Sequence, residues 1–182
     1  MNLSLKRLTS ADDPLFPACA AIYAQSFPPH EQREAASQRA IMGDGEYHYD
    51  AILLDGALVG EILNWRWKNH IYVEHFCIDP ARRGQGLGRA ALDLLAGAGD
   101  TIILEIDPPV DEISRRRRRF YAEAGFCENP HAHVHPPYHA GADGHALVVM
   151  SRPKPIDGAQ YAEFRAYLQG RVIALCPAPR EI

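Results

Sequence analysis

The sequence predicts a mixed α/β domain built on one twisted sheet of about seven strands, and three observations carry that prediction. Apolar segments at residues 47–54, 57–67 and 71–78 follow one another with only Asp55-Gly56 and Asn69-His70 between them, the spacing of antiparallel hairpins. From residue 71 to residue 106 the order changes to strand, helix, strand, which can set two strands side by side and parallel. Amphipathic stretches bounded by Pro, Gly and Asp surround these segments and read as helices. A chain of 182 residues is of single-domain size, and 47% hydrophobic with 23% charged residues is a globular balance.

The elements follow in order. Residues 3–8 alternate in polarity and read as a first strand. Ala11 to Phe27 reads as a helix with Asp12 or Asp13 at its N-cap, stopped by Pro28-Pro29. His30 to Met42 reads as a second, more polar helix ended by Gly43-Asp44-Gly45. After the hairpins, Arg83–Gly88 leads into a helix with Leu87, Ala90, Ala91, Leu94 and Leu95 on one face. Residues 101–106 form a strand and 111–124 a helix. The stretch 129–144, rich in Pro, His, Gly and Asp, reads as a loop, and His145–Ser151 as the last strand. Pro153 and Pro155 mark a short linker. The expected division is a main domain over 1–152 and a helical extension over 153–182 packed on it, with helices on both faces of the sheet.

Composition excludes several classes of function. A net charge of -4 argues against nucleic acid as an obligatory partner. The start, MNLSLKRLTSADD, has no apolar h-region or cleavage site, and no apolar run reaches membrane-spanning length. Four scattered cysteines with no CxxC pair fit reduced thiols and a cytoplasmic location.

The most informative stretch is HFCIDPARRGQGLGRAALDLL. An apolar strand runs into Asp79-Pro80, then Arg83-Gly84-Gln85-Gly86-Leu87-Gly88 opens a helix. Glycines let backbone N–H groups turn toward a ligand, and a helix N-terminus adds free donors and a positive dipole end. With Arg82, Arg83 and Arg89 nearby, the pattern reads as a pyrophosphate cradle or as a turn for tight strand–helix packing. A nucleotide P-loop is excluded because the Lys-Ser/Thr pair is absent. The glycine spacing and position also fail the dinucleotide fingerprint. Downstream lies Phe120-Tyr121-Ala122-Glu123-Ala124-Gly125-Phe126.

Arg83, Gly86 and Gly88 resemble motif A of the GNAT N-acetyltransferases, [QR]-x-x-G-x-[GA], and the 120–126 segment is similar to that family's FYxxxGF box in the expected order. The resemblance covers roughly residues 47–128. It implies a sheet splayed between the strands at 71–78 and 101–106, with acyl-CoA in the splay. The pantetheine arm would pair with backbone at Phe76, Cys77 and Ile78, and the pyrophosphate would sit on Arg83–Gly88 with Arg89 beside it. It further implies acetyl-CoA as acyl donor, a small-molecule or peptide amine as acceptor, direct transfer without an acyl-enzyme, no required metal, and a monomer or homodimer. A non-catalytic acyl-CoA sensor on the same fold is the rival reading.

Amine acylation needs a base for the amine and an acid for the departing thiolate. Tyr121 matches the family's general-acid tyrosine. Glu105, a carboxylate in the apolar strand ILEID, is the first choice for the base. Glu74 on the partner strand is the second, and simple alternation places His75 on the opposite face from it. Ser114 and Arg117 replace the family's usual Asn and Ala. They are expected to meet the pantetheine arm and a CoA phosphate. Glu31, Arg33, Trp65 or Trp67, and Tyr138 are acceptor-side candidates. The run Arg115–Arg119 spreads around its helix and is expected to pair with Asp111, Glu112 and Glu123. Five of nine histidines lie between 131 and 145, and HxHxH in extended backbone puts alternate rings on one face. That loop is read either as lining the acceptor mouth or as a metal-binding site.

Overall fold

The computed structural model describes residues 2–96 and 100–176. The elements are β1 (Leu3–Leu8), α1 (Phe16–Ser26), α2 (Ala35–Ile41), β2 (Tyr47–Leu54), β3 (Ala57–Trp67), β4 (His70–Ile78), α3 (Leu87–Leu95), β5 (Thr101–Ile106), α4 (Glu112–Glu123), β6 (Cys127–Glu128), β7 (His133–His135), β8 (His145–Arg152) and α5 (Gly158–Tyr167). They form an open mixed sheet of eight strands in the order β1-β2-β3-β4-β5-β8-β6, with β7 also on β8. Among the described residues no helix is long and apolar enough to cross a membrane.

The antiparallel half follows from its turns. Asp55 and Gly56 both take positive φ, the backbone of a tight two-residue hairpin, and join β2 to β3. β4 pairs antiparallel with β3 and parallel with β5. The parallel pairing runs only from His70↔Thr101 to Val73↔Leu104. Beyond it, Glu74–Ile78 and Glu105–Ile106 part, and β5 continues instead on β8.

Each face of the sheet has its own core. One gathers Tyr49, Leu63, Trp65, Tyr72 and Ile103 under α1, α2 and α5; the other gathers Ile62, Ile71, Val73 and Leu104 under α3 and α4. Phe164, Leu168 and Val172 of the C-terminal segment are fully buried in the first core. Residues 177–182 of the expected extension lie outside the described residues.

Several expectations change. The first helix starts at Phe16, because residues 11–15 form a turn in which the Asp13 carboxylate accepts from the Leu15 amide at 2.9 Å. The predicted second helix is a 3₁₀ turn at Pro29–Glu31, then an extended stretch, then α2. Arg33 breaks it: its amide donates to Tyr23 Oη at 3.1 Å and its side chain enters the core. The stretch 129–144 contains β7. The arginines find partners other than those expected. Arg117 pairs with Asp107 at 2.5 Å, Arg118 with Glu128, and Arg115 donates to the Val110 carbonyl.

The most consequential change is at Glu74. Leu63 pairs with His75 and Asn64 with Val73, so Glu74 is an extra residue in β4, a β-bulge. The bulge resets the alternation. His75 therefore lies on the same face as Glu74, not opposite, and its ring packs on Tyr23, Phe27 and Tyr138.

Candidate active site

A cavity of about 1060 Å³ occupies the gap where β4 and β5 part. The glycine segment forms one end. Gly84 and Gly86 have φ of +78° and +74°, a left-handed backbone that favours glycine, and Gly86 caps the N-terminus of α3. A Cβ on either would meet nothing within 4 Å, so their backbone faces open space. Gly88 is different. A Cβ there would come within 3.1 Å of Phe120 Cζ and 3.4 Å of Phe76 Cζ, so this glycine serves the packing of α3 on two cavity-wall rings. Arg82, Arg83 and Leu87 line the same end, and Arg83 Nε donates to the Ile78 carbonyl at 3.1 Å. Gln85 and Arg89 are exposed and lie off the cavity wall.

Tyr121 lines the cavity from the α3/α4 face, with its ring against Phe120 and Phe126. Burial pushes its hydroxyl up to about 12, with Arg117 pulling the other way, so it holds a proton at neutral pH. Cys77 and Ile78 lie on the opposite wall. Burial, with Glu61 adding to it, pushes the Cys77 thiol up to about 12, which removes it as a nucleophile.

Both carboxylates chosen as bases reach the cavity from the other face, and both are already engaged. The Glu74 side chain is fully buried, paired with Arg33 Nε at 2.9 Å and accepting from Trp65 Nε1 at 2.7 Å. Burial pulls its carboxyl upward, but Arg33, His75 and these hydrogen bonds hold it below the ordinary range. Glu105 accepts from Tyr72 Oη at 2.6 Å and from His133 Nε2. Burial again pulls upward, and His135, His133 and Tyr72 together carry it below the ordinary range.

Three comparisons bear on this arrangement. The acetyltransferase (GNAT) family pattern matches residues 14–126. The chain belongs to the GNAT acetyltransferase family. It is therefore an acyltransferase. A GNAT-family protein of known structure from Bacteroides thetaiotaomicron is 30% identical, with 93% of this chain and 98% of that chain covered and a TM-score of 0.87. The ribosomal-protein-S18-alanine N-acetyltransferase of Escherichia coli is 20% identical over 86% of this chain and 97% of that one, with a TM-score of 0.57. Arabidopsis thaliana Naa50, bound to the bisubstrate analogue CoA-Ac-MVNAL, is 16% identical over 84% and 99%, with a TM-score of 0.58. No curated protein matches the sequence.

In this acetyltransferase the remaining sequence-derived candidates separate. Glu31 and Tyr138 line the cavity, and the Glu31 carbonyl receives His75 Nε2 at 2.8 Å. Trp65 does not reach it: the ring is buried against Tyr47 and its N–H is spent on Glu74. Trp67 is also structural, stacked between His70 and Tyr167. Ser114 is buried in a capping box with Asp111 at the start of α4, off the main cavity, so local backbone geometry rather than a ligand accounts for it. Arg117 does line the cavity, beside Asp107.

The histidine loop holds residues that the sequence left unassigned. His131 stacks on Tyr161 and bonds the Ile156 carbonyl. His133 and His135 share a buried face of β7, as strand alternation requires, and that face meets Glu105. Among the described residues one trio has metal-ligand spacing, His30, Glu31 and His145 at the cavity mouth, with donor atoms within 4.8 Å of one another.

Proposed function

We propose that this acetyltransferase moves the acetyl group of acetyl-CoA onto a primary amine by direct attack in a ternary complex. The observation that carries this reading is the parting of β4 from β5. It leaves one edge of Glu74–Ile78 without a strand partner, with an open glycine cradle at one end and Tyr121 against the gap. These residues fit a CoA thioester. The left-handed backbone at Gly84 and Gly86 keeps the α3 N-terminus clear for a pyrophosphate, and Arg82 and Arg83 supply counter-charge. Unpaired β4 backbone can pair with the pantetheine amides. The Naa50 analogue joins CoA, acetyl and a peptide in one molecule, the species expected when donor and acceptor meet in one site.

In the reaction the amine lone pair forms the C–N bond at the thioester carbonyl. The C–S bond then breaks with its electron pair on sulfur, and the protonated Tyr121 hydroxyl gives its proton to that sulfur. Tyr121→Phe should leave acetyl-CoA affinity unchanged and lower kcat by about 10²-fold, the scale of one positioned acid. An unchanged kcat with chemistry rate-limiting would return Tyr121 to a packing role. A wild-type protein that binds acetyl-CoA but turns over no amine would favour the sensor reading.

The cradle has its own test. Gly86→Asp should abolish acetyl-CoA binding in calorimetry, because it strains a left-handed position and sets a carboxylate where phosphate must sit. Retained affinity in a folded variant would overturn the assignment. Gly88→Asp is a poorer probe, since its side chain would strike Phe120 whether or not CoA binds.

A further inference from the structure

We propose that His135 is the base that takes the acceptor's proton, with Glu105 as the positioning carboxylate behind it. The inference rests on the amine acetyl transfer proposed above. It begins from an excess of engaged carboxylate. Glu74 has both oxygens bonded, to Arg33 and Trp65, and Glu105 is held by Tyr72 and His133. A carboxylate so stabilised as an anion is a weak base, and neither oxygen pair is free to approach a substrate ammonium.

His135 is placed differently. It is 5% exposed, lines the cavity, and its Nε2 is buried with no hydrogen-bond partner among the described residues. An orphaned buried ring nitrogen costs free energy unless a ligand completes it. That nitrogen lies 3.8 Å from Glu105 Oε2, so an imidazolium formed there would find a carboxylate already in place. Titratable and charged groups surround it. Glu105 faces it from β5, and Tyr72 and His75 from β4, with Glu74 and Arg33 behind them. His133 stands two residues away on β7, and Tyr138 follows with its ring 5.0 Å from His135. His133 holds Glu105 in turn and bonds Tyr161 Oη at 2.9 Å, so the histidine run acts as a relay frame rather than a chelate.

The proton balance closes. A substrate ammonium gives one proton to His135 Nε2, and the freed lone pair attacks the thioester. On collapse the new ammonium nitrogen loses a second proton to solvent, which restores the proton Tyr121 gave to sulfur. The third stays on the amide, and His135 returns its proton to solvent.

The experiment uses the full chain with acetyl-CoA and a panel of primary amines, including spermidine, tyramine and an alanine-initiated peptide, with CoA release as the readout. His135→Gln should keep acetyl-CoA affinity, lower kcat at pH 7 by ~10²–10⁴-fold, and recover as pH approaches the amine's own pKa. Glu105→Gln should retain more activity and shift the acidic limb of the kcat profile, since it alters His135 without removing it. His139→Gln, on the same loop, is the unaffected control. A wild-type rate in His135→Gln, or a Glu105→Gln variant whose kcat profile matches the wild type's across the pH range, would overturn the proposal. Absence of acetyl-CoA binding by the wild type would instead overturn the function on which it rests.

Discussion

Replacing Arg33 with leucine should destabilise the fold by about 3–5 kcal/mol, the cost of leaving a buried charge without its partner. Arg33 and Glu74 are both without exposed side-chain surface and meet at 2.9 Å. Arg33 Nη2 also donates to the Val172 carbonyl at 2.8 Å, and its guanidinium lies 5.5 Å from the Trp65 ring centroid. One side chain thus ties the segment after α1 to β4 and to the C-terminal segment. The lost pair leaves Glu74 with only the Trp65 N–H. The combined variant Arg33→Met, Glu74→Leu should recover much of the loss, because no charge is then buried alone. Urea denaturation of both variants measures the difference. A single-variant loss below about 1 kcal/mol would show that the pair does not hold these segments.

Replacing Glu61 with glutamine should stabilise the protein at pH 7 by about 2–4 kcal/mol. Glu61 is fully buried, accepting from Tyr49 Oη at 2.8 Å and from Cys77 Sγ at 3.7 Å. Burial raises its carboxyl from 4.5 to about 8, against the pull of these two hydrogen bonds. A carboxyl whose folded pKa is raised binds its proton more tightly when folded. Its contribution is complete below about 4.5 and is lost as pH rises toward 8. Glutamine carries no titrating proton, so the gap between variant and wild type should open above pH 5 and level off above pH 8. Other titrating groups are common to both proteins and cancel. Parallel stability profiles from pH 4 to 9 would mean that Glu61 is not the buried acid described.

The sheet was largely legible because its signals are local. Asp55-Gly56 marks a hairpin, and Asp79-Pro80 followed by glycines marks a strand that ends where a helix begins. The glycine turn that opens α3 was legible for the same reason. What escaped depends on contacts far apart in sequence. The bulge at Glu74 leaves alternation unbroken in the sequence, so His75 was assigned to the wrong face. Arg33 sits in a polar stretch that reads as helix, and only its partner 41 residues away draws it inward. Trp65 resembles an aromatic free for recognition until Glu74 is seen to hold its N–H. Ser114 is explained by Asp111, whose spacing three residues before it is that of a helix capping pair. His135 had one usable signal, the alternation of HxHxH, which predicts a shared face but not the carboxylate opposite.

On the function proposed above, the parted strands put the donor and acceptor machinery on different sides of one sheet. Gly86, Phe120 and Tyr121 belong to the α3/α4 layer, whereas His75, Glu105, His135 and Tyr138 belong to the layer of α1, α5 and β7. The two layers share little but the ends of β4 and β5. Substitutions under one layer therefore need not disturb the other. If the proposed division holds, a lineage can change its acceptor by drift on one side while the acyl carrier on the other stays the same.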